Sequence, residues 1–183
     1  MNVIAIHHGE RDYEPCKQRG FIGQGLELAP LTERGVRQAE EAAANPMLAG
    51  AQLILSSPYT RCMQTAAIIS RITGIPLTVE IDLYEWIPDL TFQNRANEGG
   101  ESDFAACKGR YPQGEKRNWE TIEMMEQRLL GVLDRYTGYD KIILVTHGML
   151  MRQIKAYGDI PHCFVDEFEY DGDFKCAGFH ERG

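Results

Sequence analysis

The sequence predicts an α/β fold in which a mostly parallel sheet is covered by helices on both faces. Two short apolar runs, at residues 2–7 and 141–146, are typical of buried β-strands. Between them, helical patterns alternate with further apolar runs, which is the order expected of βαβ units. Each of these two strands leads into a His-Gly pair, His8-Gly9 in the first case and His147-Gly148 in the second.

The first half of the chain is divided by cap and breaker residues. A loop of about two dozen residues follows the first strand and is long enough to suggest a function. Thr32 is suited to cap a helix over 33–44, and a strand is expected over 52–56. Ser57-Pro58 indicates the start of a further helix, which Gly74 ends.

The second half is predicted from the same signals. In order, we expect a strand at 76–81, an irregular insertion with short helices at about 86–118, a long helix at 119–136, the strand at 141–146, a helix at 149–157, and a hairpin over 164–179 around Asp171-Gly172. The hairpin would supply an antiparallel edge to the sheet. The whole chain, residues 1–183, is predicted to be a single domain.

The composition excludes several classes of function. A net charge of −8 argues against a broad surface for nucleic acid or for an anionic membrane. The five cysteines are scattered without a Cys-x-x-Cys pair, so neither a zinc site nor a disulfide framework is expected. The sequence shows no signal peptide and no apolar run of the ~20 residues that span a membrane. We therefore predict a cytoplasmic protein, and the sequence indicates no particular oligomeric state.

The two His-Gly corners predict a shared site. In an open α/β sheet, ligands bind beyond the carboxyl ends of the strands, so His8 and His147 are expected to meet there. Arg61 lies in the first turn of the helix predicted to begin at Pro58, where a cation opposes the helix dipole and stability alone does not favour it. A solvated surface arginine is the alternative. Beside the N–H groups of a helix start, however, Arg61 would complete a pocket for a phosphoryl group.

The same residues lie in longer motifs through which the chain resembles the histidine phosphatase superfamily, the phosphoglycerate mutase-like group. The resemblance covers residues 2 to about 152 and implies a three-layer α/β/α sandwich. His7-His8-Gly9-Glu10 corresponds to the family's Arg-His-Gly-Glu motif, and residues 31–39 correspond to Leu-Thr-x-x-Gly-x-x-Gln-Ala. Residues 56–66 correspond to Ser-Ser-Pro-x-x-Arg-x-x-Gln-Thr-Ala. Leu83-Tyr84-Glu85 lies where the family has its acidic proton donor, and Val145-Thr146-His147-Gly148 with Arg152 matches the second histidine corner.

The resemblance implies a mechanism for this chain. His8 would be the nucleophile that forms a phosphohistidine. Glu85 would protonate the leaving oxygen and then deprotonate the hydrolytic water. Arg61 and His147 would donate hydrogen bonds to the phosphoryl oxygens. The expected activity is hydrolysis of a small phosphorylated metabolite with release of inorganic phosphate, and no metal or organic cofactor is required.

The chain also departs from the family pattern. His7 stands where the family has arginine, and a histidine has a single donor direction and is often neutral at pH 7. Arg11 and Glu14 stand where many members have threonine and asparagine. Glu14 would repel phosphate if it faced the pocket. Our hypothesis is that Arg11 replaces the missing positive charge, and a solvated loop arginine is the alternative. We predict that His7, Arg11 and Gly148 bind the substrate.

Two alternatives to the phosphatase remain open. His7 and Glu14 favour a catalytically weak or inactive anion-binding protein of the same fold. A phosphoglycerate mutase-type phosphotransferase is the other alternative, although the short chain argues against it. His7 and His8 are adjacent on a strand and are expected to point to opposite faces. His162 and His180 match no motif, and we expect surface or packing roles for both.

Overall fold

The computed structural model describes residues 1–93, 100–172 and 174–177, and these residues form one five-stranded sheet. The strands are β1 (Asn2–His7), β2 (Leu53–Ser56), β3 (Leu77–Val79), β4 (Lys141–Thr146) and β5 (Val165–Glu169), in the order β3-β2-β4-β1-β5. Strands β1 to β4 are parallel, and β5 pairs antiparallel with β1. The predicted α/β fold with a mostly parallel sheet is confirmed.

Helices connect the strands. They are α1 (Glu14–Gln18), α2 (Glu33–Ala43), α3 (Thr60–Thr73), α4 (Gly100–Ala106), α5 (Ile122–Arg135) and α6 (Gly148–Ile154), with short 3-10 segments at Gly23–Leu28, Pro46–Leu48 and Ile81–Leu83. None of the helices in the described part of the chain is both long enough and apolar enough to cross a membrane.

The alternation of side chains along the strands divides the core into two layers. On β1, Val3 and Ala5 belong to the cluster that contains the buried face of α5 and of α6. Ile4 and Ile6 belong to the other cluster, which contains residues of α2 and α3. Since successive strand residues face opposite sides, the middle of each central strand is apolar at every position and is covered on both faces. The result is the three-layer α/β/α sandwich.

The start of α2 agrees with the sequence, whereas those of α3, α5 and, by one residue, α6 differ. Thr32 caps α2, since its side chain accepts a hydrogen bond from the Gly35 amide at 2.9 Å. Helix α5 begins three residues later than predicted, after the cap residue Thr121. Helix α3 begins at Thr60 rather than at Pro58, and the extended Tyr59 occupies the cap position without a side-chain cap. Ser57 Oγ bonds to His147 Nε2 at 2.7 Å and accepts from the Tyr59 amide at 3.3 Å.

The C-terminal region differs from the predicted hairpin. Strand β5 is present and forms the antiparallel edge, but residues 174–177 form no second strand, and residues 173, 178 and 179 lie outside the described residues. The side chain of Phe174 packs instead against Phe168, with 5.2 Å between ring centroids. Helix α6 ends at Ile154, three residues before the predicted end, and β3 is shorter than predicted.

The insertion at 86–118 is irregular, as predicted, and its described part contains α4. Residues 94–99 lie outside the described residues. The insertion is attached to the sandwich by aromatic packing, since the ring of Phe104 lies between the rings of Trp86 and Trp119 at centroid distances of 4.9 and 5.3 Å.

A close backbone contact fixes the loop that follows β1. Gly35, in the first turn of α2, packs so tightly that a Cβ there would overlap the carbonyl oxygen of Glu10. A Cβ on Gly9 would lie 2.6 Å from the carbonyl oxygen of Gly35. Only glycine fits both positions, so the end of β1 and the start of α2 are held against each other.

We expect Gly35→Ala to lower the free energy of unfolding by about 1–3 kcal/mol, the usual cost of forcing an extra methyl group into a packed region. The matched control is Gly131→Ala in the middle of α5, where the added Cβ meets only the end of Arg135 at 4.0 Å. That change should stabilise by up to about 1 kcal/mol through helix propensity. Urea denaturation measures both, and equal stabilisation in the two variants would contradict the close contact.

Candidate active site

Four candidate side chains lie at the carboxyl edge of the sheet. His8 directly follows β1, Ser57 follows β2 and His147 follows β4. Glu85 follows the 3-10 turn at Ile81–Leu83, beyond β3. The rings of His8 and His147 are 5.3 Å apart between centroids, so the structure brings the two predicted corners together.

Arg61, near the start of α3, joins these elements. Its guanidinium donates from Nε to His8 Nε2 and from a terminal nitrogen to His147 Nδ1, each at 3.0 Å. The other terminal nitrogen donates to the carboxylate of Glu27. The Arg61 side chain is 3% exposed, so these bonds form away from solvent.

The contacts of Arg61 determine the tautomers of both histidines. An arginine only donates, so His8 Nε2 and His147 Nδ1 must be unprotonated acceptors. His8 then donates from Nδ1 to the Gly9 carbonyl at 2.8 Å, and His147 donates from Nε2 to Ser57 Oγ at 2.7 Å. Burial lowers the pKa of both His8 and His147 well below the usual value, and the positive charge of Arg61 lowers it further. Both imidazoles are therefore neutral, and the lone pair of His8 Nε2 accepts from Arg61.

The environment of Glu85 raises the pKa of its carboxyl group. Its carboxylate accepts hydrogen bonds from the amides of Trp86 at 2.9 Å and Met149 at 3.5 Å. Burial raises the pKa of Glu85, and this effect exceeds the lowering by the Trp86 amide and by Arg61. A carboxyl group with a raised pKa is suited to donate a proton at neutral pH.

A buried ion pair supports the segment that carries Glu85. Glu120 and Arg128 are 2% and 7% exposed, and their charged groups are 2.7 Å apart. The Glu120 carboxylate also accepts from the Ile87 amide at 3.2 Å, and the Trp86 indole donates to the Glu120 carbonyl at 2.7 Å. These bonds fix the backbone on one side of Glu85 to the start of α5.

His7 lies beside His8 rather than on the opposite face of the sheet, so our expectation for this pair was wrong. Their ring centroids are 4.4 Å apart, because β1 ends at His7 and the alternation of a strand no longer applies to His8. His7 Nδ1 lies within hydrogen-bond distance of the carbonyls of Ile160 and Pro161, at 3.1 and 3.0 Å. Burial lowers the pKa of His7 to about 4. Gly148 is adjacent, since a Cβ there would lie 3.9 Å from His7 Nε2.

Arg11 and Glu14 occupy different environments. Arg11 donates from Nε to the Tyr13 hydroxyl at 2.6 Å, and its positive charge contributes to the lowered pKa of both His7 and His8. It therefore lies within electrostatic range of the site. Glu14 is exposed and pairs with Lys17 at 3.0 Å, so the repulsion predicted for a pocket-facing Glu14 does not arise.

The sequence analysis missed three residues of this site. Ser57, which fixes the tautomer of His147, lies within a quoted motif, and its strand-end position was the available signal. Glu27 and His162 lie in no motif. Glu27 reaches Arg61 from the 3-10 turn at Gly23–Leu28, and the ring of His162 lies 5.7 Å from that of His8. His180 lies outside the described residues.

Three further polar residues of the motifs hold the loops around the site. Thr65 Oγ1 accepts a hydrogen bond from the Gly9 amide at 3.0 Å, and Gln38 Oε1 accepts one from Glu10 at 2.9 Å. Gln64 Oε1 accepts one from the Leu31 amide at 2.6 Å. Within the described residues, no cluster of His, Cys, Asp and Glu has a metal-binding arrangement.

The lowered pKa of His7 predicts that the free energy of unfolding depends on pH. The unfolded chain protonates His7 below about pH 6.5, whereas the folded protein does so only below about pH 4. Stability therefore falls as the pH falls from 6.5 towards 4, and His7 alone should account for about 2 kcal/mol between pH 7 and pH 5. Urea denaturation of His7→Asn at both pH values should show a correspondingly smaller loss. An equal loss in both proteins would show that His7 is already protonated or solvated.

Comparison with known proteins places this geometry in a family. The model of the histidine phosphatase superfamily (branch 1) matches residues 3–171. A probable phosphoglycerate mutase, GpmB, of Cronobacter sakazakii is 28% identical over 159 residues, which cover 82% of this chain and 71% of that protein. An uncharacterized phosphatase, PhoE, of Bacillus subtilis is 29% identical over 157 residues, with 80% and 71% covered.

Solved structures share the fold. A mycobacterial glucosyl-3-phosphoglycerate phosphatase in complex with VO3 has a TM-score of 0.67 at 20% identity, with 96% of this chain and 95% of that chain covered. The α-ribazole phosphatase from Shigella flexneri has a TM-score of 0.67 at 18% identity, with 100% and 97% covered. With the family model matching nearly the whole chain, the protein belongs to the histidine phosphatase superfamily, branch 1.

Proposed function

We propose that this protein is a phosphatase that hydrolyses the phosphomonoester of a small metabolite through a phosphohistidine at His8, without a metal or organic cofactor. The observation that carries the proposal is the neutral His8, whose Nε2 lone pair meets the Arg61 guanidinium at 3.0 Å. An unprotonated nucleophile and a permanent cation thus lie side by side, as attack on an anionic phosphoryl group requires.

The first half of the reaction uses four side chains. Arg61 holds the phosphoryl oxygens, and His147 donates to one of them by releasing its Nε2–H from Ser57. The lone pair of His8 Nε2 leaves its hydrogen bond to Arg61 Nε and attacks phosphorus. The N–P bond forms as the bond from phosphorus to the leaving oxygen breaks, and Glu85 donates its proton to that oxygen. The raised pKa of Glu85 keeps this proton available.

The second half regenerates the site. The Glu85 carboxylate takes a proton from a water molecule, the water oxygen attacks phosphorus, and the N–P bond breaks. Inorganic phosphate leaves, and His8 returns to its neutral form. Arg61 supplies the same hydrogen bonds in both halves, so the transferring group needs no reorientation.

Glu27 adds a requirement to substrate binding. It occupies one terminal nitrogen of Arg61 and brings a negative charge into the pocket. A phosphoryl group that takes this nitrogen has to displace the carboxylate. The position of Glu27 in a 3-10 turn, rather than in a regular helix or strand, is compatible with such a displacement.

Two other functions fit the same site. Relatives that are named probable phosphoglycerate mutases favour a phosphotransferase in which a substrate hydroxyl, rather than water, accepts the phosphoryl group from His8. A binding protein with little or no turnover is favoured by His7, which replaces an arginine with a neutral ring.

A cytoplasmic location remains part of the proposal, since all five cysteines carry free thiols.

The chemistry is tested by hydrolysis of p-nitrophenyl phosphate and of glycerol 3-phosphate, with and without EDTA. We expect turnover that EDTA leaves unchanged and that His8→Ala abolishes. Glu85→Gln should lose roughly 10²–10⁴-fold with glycerol 3-phosphate and much less with p-nitrophenyl phosphate, whose good leaving group needs little protonation.

Trapping of the protein-bound phosphoryl group after rapid acid-free quenching should show phosphohistidine in wild type and none in His8→Ala. Transfer to 3-phosphoglycerate in preference to water would favour the mutase. Phosphate binding without any turnover would favour the binding protein.

Arg11 provides a prediction about the charge that replaces the family arginine. We expect Arg11→Ala to lower kcat/KM roughly ten- to a hundredfold, the value of one hydrogen bond to a charged group. The control is Arg34→Ala, since Arg34 is 70% exposed and its partner is Glu10 at 3.5 Å. Steady-state kinetics compare the two, and equal small losses would refute a role for Arg11 in binding.

A further inference from the structure

The segment 160–163, between α6 and β5, closes over the end of β1. The carbonyls of Ile160 and Pro161 contact His7 Nδ1 at 3.1 and 3.0 Å. The Cys163 amide donates to the carbonyls of both His7 and His8, at 3.1 and 3.2 Å. His162 lies between these two anchors, so its backbone is fixed relative to the proposed nucleophile.

The backbone at Cys163 supports a functional interpretation of this segment. Cys163 has a φ of 55°, in the left-handed region that a residue with a Cβ adopts at a cost in free energy. The turn directs the chain back into β5 while His162 remains over the site. Conformations of this kind tend to occur where a side chain must be held in a particular place.

The ring of His162 lies almost as close to His8 as the ring of His147 does. Its centroid is 5.7 Å from that of His8, compared with 5.3 Å for His147. It stacks on His7 at 5.5 Å with an angle of 14° between the rings. The stacking holds the His162 ring in place without using its nitrogens.

The hydrogen bonds of the two neighbouring rings differ. Both nitrogens of His147 are bonded, one to Ser57 and one to Arg61. Among the residues that the structure describes, neither nitrogen of His162 has a hydrogen-bond partner, and the ring is only half-buried. A free donor therefore stands next to His8, within reach of a ligand that enters from solvent.

The charges near His162 favour an anion. Arg11 lies within electrostatic range of its ring, as do Arg34, Glu10 and Asp159. Arg34 and Glu10 pair with each other at 3.5 Å, so their charges largely cancel. Of the two remaining charges, Arg11 has a larger effect on His162 than Asp159 has. The charge of Arg11 also reaches His7 and His8.

His7 does not itself supply a hydrogen-bond donor to the phosphoryl group. With Nδ1–H directed at the carbonyls of Ile160 and Pro161, a neutral His7 presents an unprotonated Nε2 on its other side. A lone pair repels a phosphoryl oxygen, so in this state His7 supplies neither the charge nor the donors of the arginine it replaces.

We propose that His162 is a substrate-binding residue of this site and that its imidazole donates a hydrogen bond to an oxygen of the phosphoryl group at His8. This inference rests on the proposed function, and it adds a residue from outside the motifs to the phosphoryl pocket. Together with Arg11, His162 would replace the arginine that is absent at position 7.

The test is the binding of inorganic phosphate, measured by isothermal titration calorimetry, which requires no turnover. His162→Phe keeps an aromatic ring for stacking on His7 and removes the donor, and we expect it to weaken phosphate binding about tenfold or more. His162→Gln restores a donor of similar reach and should stay within about threefold of wild type. Tyr139→Phe, on a half-exposed tyrosine after α5, is the matched control and should bind as wild type does.

A second variant connects His162 to the departure at position 7. In a His7→Arg background the arginine supplies the donors itself, so the further change His162→Phe should cost much less than it does in wild type. Equal costs in both backgrounds would overturn the replacement role. Wild-type affinity in His162→Phe, or a loss in His162→Gln as large as in His162→Phe, would overturn the binding role, since the second result identifies the ring rather than the donor.

The outcomes separate this inference from the proposed function. Phosphate binding that depends on His162 in a protein without turnover would support the inference and refute the phosphatase. Turnover through His8 with a phosphate affinity that does not depend on His162 would support the phosphatase and refute the inference about His162. Wild-type protein that neither binds phosphate nor turns over would overturn both.

Discussion

The buried guanidinium of Arg61 is the constraint on which the rest of the site depends. Removing a cation from water is costly unless it is hydrogen-bonded, and each of the three guanidinium nitrogens of Arg61 has a partner, in His8, His147 or Glu27. These partners come from two strand ends and one loop that lie far apart in the sequence. The hydrogen-bond requirement of a single side chain therefore determines how the carboxyl edge of the sheet is assembled.

The same requirement sets the chemical state of the histidines. Because Arg61 donates to them, His8 and His147 present lone pairs, and the nearby positive charge together with burial keeps them neutral. Without a ligand, the pocket contains a permanent cation, neutral rings and the carboxyl groups of Glu27 and Glu85. The arrival of an anionic phosphoryl group would raise the pKa of every imidazole around it, so binding and proton uptake are expected to be coupled.

The departure at His7 is accommodated by its surroundings rather than by His7 itself. An arginine carries its charge at every physiological pH, whereas a buried histidine loses it. Here the carbonyls of segment 160–163 hold the His7 ring, and the same segment carries His162 to within 5.7 Å of His8. The replacement of one side chain is thus connected with the conformation of a loop more than 150 residues away.

The regular elements and the two His-Gly corners could be predicted from the sequence, because local patterns encode them. Strands β1 and β4 were predicted with their observed bounds, and Thr32 caps α2 as expected. Their apolar runs are buried on both faces whatever the loops do. The meeting of His8 with His147 followed from the general rule for the carboxyl ends of strands in an α/β sheet.

Only the tertiary structure decided the start of α3, the orientation of His7, and the positions of Glu27 and His162. Each depends on a partner distant in the sequence: Ser57 turns to His147 instead of capping a helix, and Glu27 turns to Arg61. Loops have no periodicity that predicts which side chain turns inward. Their conformations are set by which buried donors and acceptors still need partners once the sheet has formed, and that information belongs to the folded molecule as a whole.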